Sequence, residues 1–540
     1  MIKKIIAATL LIPILSGCHS EENYDTIPSG ISNIVTETRT VPLVKEKNTE
    51  GLVSILLMPG EEGNKEITEV EFIFDKELSD VFMEASLSTK SPASNSTQKI
   101  STETKFSTDA VRFSLTDLAV NDTTALFLNL TASKTMSISS SVKLEEIKLT
   151  FEDKDIFKKR IEQTFRPAIE VRAAGQDNCD TYRIPGMVTT KEGTLIAVYD
   201  NRYTRSKDLQ EHIDVGMSRS TDGGETWEPM QVIMDLGEWG GKPEYLNGVG
   251  DPSVLYDPNT HTIWVAALWM HGFDRDQMTW WASQPGMEPS QTGQFLLVKS
   301  TDDGKTWSDP INITKQIKNP DWQLLLQGPG KGICMSDGTL VFPAQFKADI
   351  GEKAIDGGQF TPHSTIIYSN DAGETWTIGT GAKTNTTEAQ VVELSDGSLM
   401  LNMRDDRNRK VKDETNGRAV AVTKDLGQTW EEHPTSNSAL IEPNCMASLI
   451  SGNVAVEGTN KNVLFFSNPA SKHQRVDMTI KASLDQGNSW PEEYHVLLNE
   501  APGFGYSCMT MVDDQHVGIL YEGVKNLYFQ KIPVAEILKQ

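Results

Sequence analysis

Cysteine is scarce in this chain, with five among 540 residues. After Cys18, the other four (Cys179, Cys334, Cys445 and Cys508) fall at wide, irregular intervals. That spacing matches no zinc-ligand pattern and is too sparse for a disulfide framework. Free buried thiols are therefore expected, with no metal or cofactor. Positive charge is also short. Lys plus Arg number 50 against 75 Asp plus Glu, a net charge of −25, which argues against nucleic acid as a partner because phosphate binding relies on clustered cations. Long apolar runs are missing too. The run Ile5–Leu15 follows Lys3 and Lys4 and is too short to cross a bilayer as a helix.

That short run is nevertheless informative. A basic start, an apolar segment and Leu15-Ser16-Gly17-Cys18 read as an export signal over residues 1–18. The last four residues resemble a bacterial lipobox, which would make Cys18 the lipidated residue and the only membrane attachment. Residues 19–30 read as a tether. The chain is expected outside the cytoplasm, as a periplasmic, outer-membrane or cell-surface lipoprotein, or secreted.

What the sequence has in quantity is a repeat. Ser220-Thr221-Asp222-Gly223-Gly224-Glu225-Thr226-Trp227 recurs as Ser300–Trp307, Ser369–Trp376, Thr423–Trp430 and Ser483–Trp490, always Ser/Thr-x-Asp-x-Gly-x-Thr/Ser-Trp. Five copies, with aspartates 80, 69, 54 and 60 residues apart by subtraction, indicate a repeat architecture. Asp can accept backbone N–H bonds in a tight turn, Gly supplies a positive φ, and Trp supplies a large apolar plug. The unit reads as a turn device, not as five catalytic carboxylates.

A second repeat is independent of the first. Strand–turn–strand signals run over Gly186–Arg202, Asp251–Trp269, Gly332–Gln345, Glu388–Arg404, Cys445–Pro469 and Tyr506–Glu522. Each of the first five is followed by one Asp unit. Six hairpins with further strands predict an all-β fold, a six-bladed β-propeller over residues 166–540. Its sixth blade should be closed by both chain ends, with Ala168–Val171 as the candidate strand. Residues 31–160 alternate in short apolar runs, such as Val70-Glu71-Phe72-Ile73-Phe74, and predict an N-terminal β-sandwich. Asp155–Thr164 is charged and reads as a linker turn or short helix. Strand direction places the hairpin turns and the Asp units on one face and the hairpin mouths on the other.

The mouths carry unusual polar residues. Arg183 precedes the first hairpin, Arg202 ends it and Asp208 follows; Asp251 opens the second. Glu388 opens the fourth and Arg404 ends it; Arg475 follows the fifth and Tyr506 opens the sixth. With the five Asp units and Arg183-Ile184-Pro185, this ordered series resembles the bacterial and animal exo-sialidases over about residues 166–540. Residues 31–160 resemble, more weakly, the lectin-like domain of some secreted members, and either bind glycans or act as a spacer.

The resemblance implies a retaining exo-α-sialidase acting on terminal sialic acids of glycoproteins, gangliosides and oligosaccharides, expected as a monomer. Arg183, Arg404 and Arg475 would bind the substrate carboxylate, a task suited to a permanently charged, bidentate donor. Tyr506 would be the nucleophile and Glu388 its base, since an anionic nucleophile would be repelled by that carboxylate. Asp208 would be the general acid, protonated when substrate binds. Arg202 and Asp251 would lie near the sugar's 4-hydroxyl. Trp280 and Trp281 are candidates for an apolar N-acyl pocket, or simply pack. Two alternatives share the residues: a carbohydrate-binding propeller without catalysis, and an enzyme that transfers sialic acid or forms an anhydro product.

Overall fold

A computed structural model describes residues 24–61, 65–90, 97–106 and 108–540. The export signal and Cys18 lie outside the described residues. Strands make up almost all the regular structure, and no described helix is long and apolar enough to cross a membrane.

Residues 31–165 form two antiparallel sheets. One runs, in spatial order, Ile31–Thr38, Asn48–Pro59, Thr124–Ala132, Phe82–Lys90 and Thr97–Glu103; the other runs Ile156–Phe165, Val142–Phe151, Lys65–Phe74 and Ala110–Val120. Strand alternation drives this arrangement. Val70, Phe72 and Phe74 are buried with Leu144, Ile147 and Leu149, and all six share one core with Ile55, Leu57, Leu87 and Leu128 of the first sheet. Asp155–Thr164 is neither linker nor helix. It belongs to strand Ile156–Phe165, whose charged residues face outward from a sheet edge while Phe157 and Phe165 are buried.

Six further sheets follow. The first pairs Thr181–Thr189, Leu195–Arg202, Ile213–Ser220 and Gln231–Met234 in chain order. The second, fourth and fifth repeat this order. The third is irregular: Leu324–Gln327 and Ile333–Cys334 both pair with Leu340–Asp349, while Gly330–Lys331 between them pairs in parallel with Ser253 and Val254 of the second sheet. Gly328-Pro329-Gly330 causes the break, because Pro lacks an N–H and Gly330 sits at φ +103. The sixth sheet joins the chain ends. Pro167–Arg172 pairs with Leu527–Pro533, Ile169 opposite Phe529, as the sequence anticipates. Leu43–Val44 adds one more strand in parallel. Innermost strands of successive sheets adjoin, and the last (Ser507–Asp513) returns to the first (Thr181–Thr189).

The Asp units behave as turn devices. Asp371 accepts from Ser369 Oγ (2.7 Å), Thr375 N (2.9 Å) and Thr375 Oγ1 (2.6 Å). Asp222, Asp302, Asp425 and Asp485 repeat the pattern. Both the glycine and the residue before it have positive φ in every copy, including Ala372 (56°) and Leu426 (54°). The units pack on hairpin turns of neighbouring sheets: Asp303 accepts from Thr190 and Thr194, and Gln486 from the Ser395 N–H. Glu225 of the first unit also accepts from Lys45 Nζ (2.6 Å) and the Ile138 N–H (2.9 Å), joining the two N-terminal sheets to the rest. The four cysteines after Cys18 are free thiols, and all but the half-buried Cys334 are buried.

Candidate active site

The hairpin mouths surround a cleft of about 410 Å³ lined by Asp208, Asp251, Glu388, Arg404 and Tyr506, among others. Arg183, Arg202 and Arg475 contact these residues directly, so all eight candidates form one contiguous group. A backbone device aims several of them. The inner strands shift register between Arg183 and Gly186, between Gly250 and Ser253, and between Thr386 and Ala389. Arg183, Asp251 and Glu388 sit at these three irregularities, and a bulge re-aims a side chain that regular pleating would direct elsewhere.

Tyr506 precedes strand Ser507–Asp513, and its hydroxyl donates to Glu388 Oε1. The same hydroxyl accepts from Arg404 Nη1 at 3.1 Å, and that nitrogen also binds Glu388 Oε2 at 2.6 Å. The guanidinium groups of Arg183 and Arg475 lie over the Tyr506 ring, 5.2 and 5.5 Å from its centroid. Burial, reinforced by the Glu388 charge, pushes the phenol well up against the opposing pull of Arg404 and Arg475. Tyr506 is therefore a neutral donor at rest. Arg475 is held by the carbonyls of Phe504 (2.7 Å) and Asn444 (3.4 Å), with no carboxylate partner among the described residues. Its charge is left for an incoming anion.

Asp208 lies in the loop after strand Leu195–Arg202. Its Oδ1 accepts from Arg202 Nη1 (2.7 Å) and Arg183 Nη1 (3.3 Å). Desolvation works against ionisation here, but the charges of Arg202 and Arg183, with help from Arg404, hold the carboxyl below the usual carboxylate range. In the unliganded site Asp208 is thus ionised, unlike the protonated form expected of it once substrate is bound. Asp251 behaves oppositely. Burial first, then the charges of Asp200 and Asp208, push its carboxyl well up. Its backbone is at φ 57, and its N–H donates to Asp200 Oδ1 at 2.8 Å. A non-glycine residue in this region costs about 1–2 kcal/mol, which the surrounding structure must supply.

Sequence reasoning missed three supporting residues. Glu522 is buried; its Oε1 accepts from Arg183 Nε (3.1 Å) and the Ile184 N–H (2.9 Å), and its Oε2 from the Tyr506 N–H (2.9 Å). It thereby also holds Ile184 at φ 57. Asp200, also buried, clasps Arg202 through Nε (3.1 Å) and Nη2 (2.8 Å). Asn444 Oδ1 accepts from Arg404 Nη2 at 2.9 Å. Glu522 had a usable signal: it ends the sixth hairpin, as Arg202 ends the first and Arg404 the fourth.

The same cleft is also lined by apolar residues, Leu209, Leu268, Leu324, Leu326, Trp280 and Trp281. Lys347 Nζ stands 4.2 and 4.6 Å from the two indole rings, and burial pushes its amine down to about 8.

Residues 184–489 match the family model described as a BNR repeat-like domain. The chain is 53% identical over 375 residues to a sialidase of Bacteroides fragilis, covering 69% of this chain and 66% of that protein. It is 32% identical over 353 residues to a sialidase of Micromonospora viridifaciens, covering 64% of this chain and 50% of the relative. The match thus spans between half and two thirds of these relatives' lengths. Among solved structures, the Hadza microbial sialidase Hz136 is similar over 92% of this chain and 99% of its own, at 39% identity and a TM-score of 0.82. With its repeats, its cleft and these relatives taken together, the chain belongs to the sialidase family of glycoside hydrolases built on BNR repeats.

Proposed function

We propose that this protein is a retaining exo-α-sialidase that releases terminal sialic acids from glycoproteins, glycolipids and oligosaccharides through a tyrosyl intermediate. The carrying observation is Tyr506, neutral, donating to Glu388 beneath Arg183, Arg404 and Arg475. The substrate carboxylate binds the three arginines. Tyr506 Oη attacks the anomeric carbon as Glu388 takes its proton, and Asp208 gives a proton to the departing glycosidic oxygen. Water then attacks the tyrosyl-linked sugar, its proton passing to the Asp208 carboxylate, while Glu388 returns a proton to Tyr506. Asp208 acquires its first proton on substrate binding, because the bound carboxylate neutralises the Arg183 and Arg404 charges that, with Arg202, keep it ionised when the site is empty, and adds a negative charge of its own. Arg202 and Asp251 face the 4-hydroxyl, and Trp280 and Trp281 wall the N-acyl group.

The same reading takes the six later sheets as blades of a propeller over residues 166–540, and the two earlier ones as a β-sandwich over 31–160 that binds glycan or spaces the enzyme. It takes residues 1–18 as an export signal with lipid on Cys18, residues 19–30 as a tether, and the protein as an exported monomer. Tyr506→Phe should abolish turnover of a fluorogenic sialoside. A 2,3-difluoro sialic acid should label the wild type, with the adduct mapping to Tyr506 by peptide mass analysis. An adduct on a carboxylate, or undiminished turnover by Y506F, refutes the mechanism.

A further inference from the structure

The loop that carries Asp208 is anchored by contacts the reaction does not use. Tyr203 N–H donates to His212 O at 3.2 Å, closing the loop at its neck. Inside that neck Glu211, fully buried, turns back across the loop. Its Oε2 accepts from Thr204 Oγ1 at 2.9 Å, its Oε1 from Arg205, and both oxygens from Arg275 Nε at 3.0 Å. Arg275 Nη2 also donates to Thr204 Oγ1 at 2.9 Å. Arg275 comes from the segment between strands Thr262–Trp269 and Gln294–Ser300, remote from the loop in sequence. That segment reaches the loop at further points: Thr279 N–H donates to Leu209 O (2.8 Å), Gln210 Nε2 to Met270 O (2.7 Å) and Lys207 Nζ to Asp276 O (3.1 Å). Asp208 is thus the one acidic residue of the loop that faces the cleft. Glu211, three residues on, faces away from it and is spent on two arginines.

We infer that the Glu211–Arg275 bridge is a clamp that positions Asp208 for proton transfer to the leaving group, which makes Glu211 and Arg275 positioning residues for the acid step. A buried carboxylate forked by two guanidinium groups is a strong and directional tie, and acid catalysis depends on a carboxyl held within hydrogen-bond reach of the oxygen it protonates. With the clamp released, Asp208 keeps its chemistry, and Arg202 and Arg183 still bind it, but its main chain is held only by the remaining ties at Lys207, Leu209 and Gln210 and is fixed less tightly. The nucleophile and its base sit on other sheets and are unaffected.

The inference rests on Asp208 being the general acid, and the test separates the two ideas by leaving group. An aryl sialoside leaves readily without a proton, whereas the sugar of sialyllactose does not. Glu211→Gln and Arg275→Met should each lower kcat/KM on sialyllactose by about tenfold or more, part of the ~10²–10⁴ that general acid catalysis contributes, and on a methylumbelliferyl sialoside by less than about threefold. Arg275→Lys should recover part of the loss. Arg275 is partly exposed, so R275M reports even where E211Q fails to fold. Asp208→Ala is the reference and should discriminate between the two substrates more strongly. Equal losses on both substrates, or no loss on sialyllactose, with a discriminating D208A, overturn the clamp alone. A D208A that does not discriminate overturns the acid assignment, and the clamp falls with it.

Discussion

Glu522→Ala removes a buried carboxylate that does not line the cleft and should nonetheless disable it. Three donors converge on it: Arg183 Nε, the Ile184 N–H and the Tyr506 N–H, at 3.1, 2.9 and 2.9 Å. Losing one member of a buried ion pair costs about 3–5 kcal/mol. Each orphaned buried N–H adds about 1–3 kcal/mol. These contributions share one site and do not add in full, and Asp208 still compensates part of the Arg183 charge. An overall cost of about 4–6 kcal/mol follows, a large fraction of the ~5–15 kcal/mol available to a folded domain. Glu522→Gln should cost less, about 2–3 kcal/mol. One amide oxygen can still serve Arg183 and Ile184 together, but the amide nitrogen then faces the Tyr506 N–H, donor against donor. Urea unfolding followed by tryptophan fluorescence reads the stability, and kcat/KM on sialyllactose reads the site. E522A within about 1 kcal/mol of wild type, or E522Q more damaging than E522A, refutes this reasoning.

Two further outcomes are expected. Asp214 is buried, and burial, then the charges of Asp235 and Glu244, push its carboxyl up to about 7. The native state therefore holds a proton that the unfolded state has released between the ordinary aspartate value near 4 and about 7. Stability should fall with rising pH across that window and level off above it. Asp214→Asn should flatten the profile and be more stable than wild type at about pH 8 in denaturant titrations; an unchanged slope excludes Asp214 as the source. Asp371→Ala deletes the three bonds that knit its turn. It should lower the thermal midpoint by a few degrees while leaving kcat/KM within about twofold, and a large activity loss would contradict a purely structural role.

The features legible in the sequence are those in which local chemistry dictates local geometry. An Asp unit needs its Ser or Thr, Asp and Gly at fixed offsets, so the five copies read directly, and so does the strand Ala168–Val171, expected because the sixth hairpin is followed by no Asp unit. The eight cleft residues are legible because hairpin ends must share a face. Features set by distant neighbours are not. The bulge at Glu388 leaves no mark in residue type, whereas Pro185 and Pro252 sit inside the other two and are a usable signal. The strand Ile156–Phe165 reads as a linker because an edge strand tolerates charge on its solvent side. The resting charge of Asp208 depends on Arg183, Arg202 and Arg404, brought from three strands, and the break at Gly328-Pro329-Gly330 matters only because Ser253 and Val254 stand ready to pair beyond it.

The sixth sheet has a consequence for the order of events during synthesis. Its last strand, Leu527–Pro533, cannot pair with Pro167–Arg172 until about 350 intervening residues have left the ribosome, tens of seconds at about 5–20 residues per second. Tyr506 precedes one strand of that sheet and Glu522 ends another, and Arg183 belongs to the sheet beside it. A nascent chain can thus carry most of its sheets and still lack Tyr506, Glu522 and the hydrogen bond between them. The cleft is complete only once the sixth sheet has formed, so its last-made strands set the moment at which its residues come together.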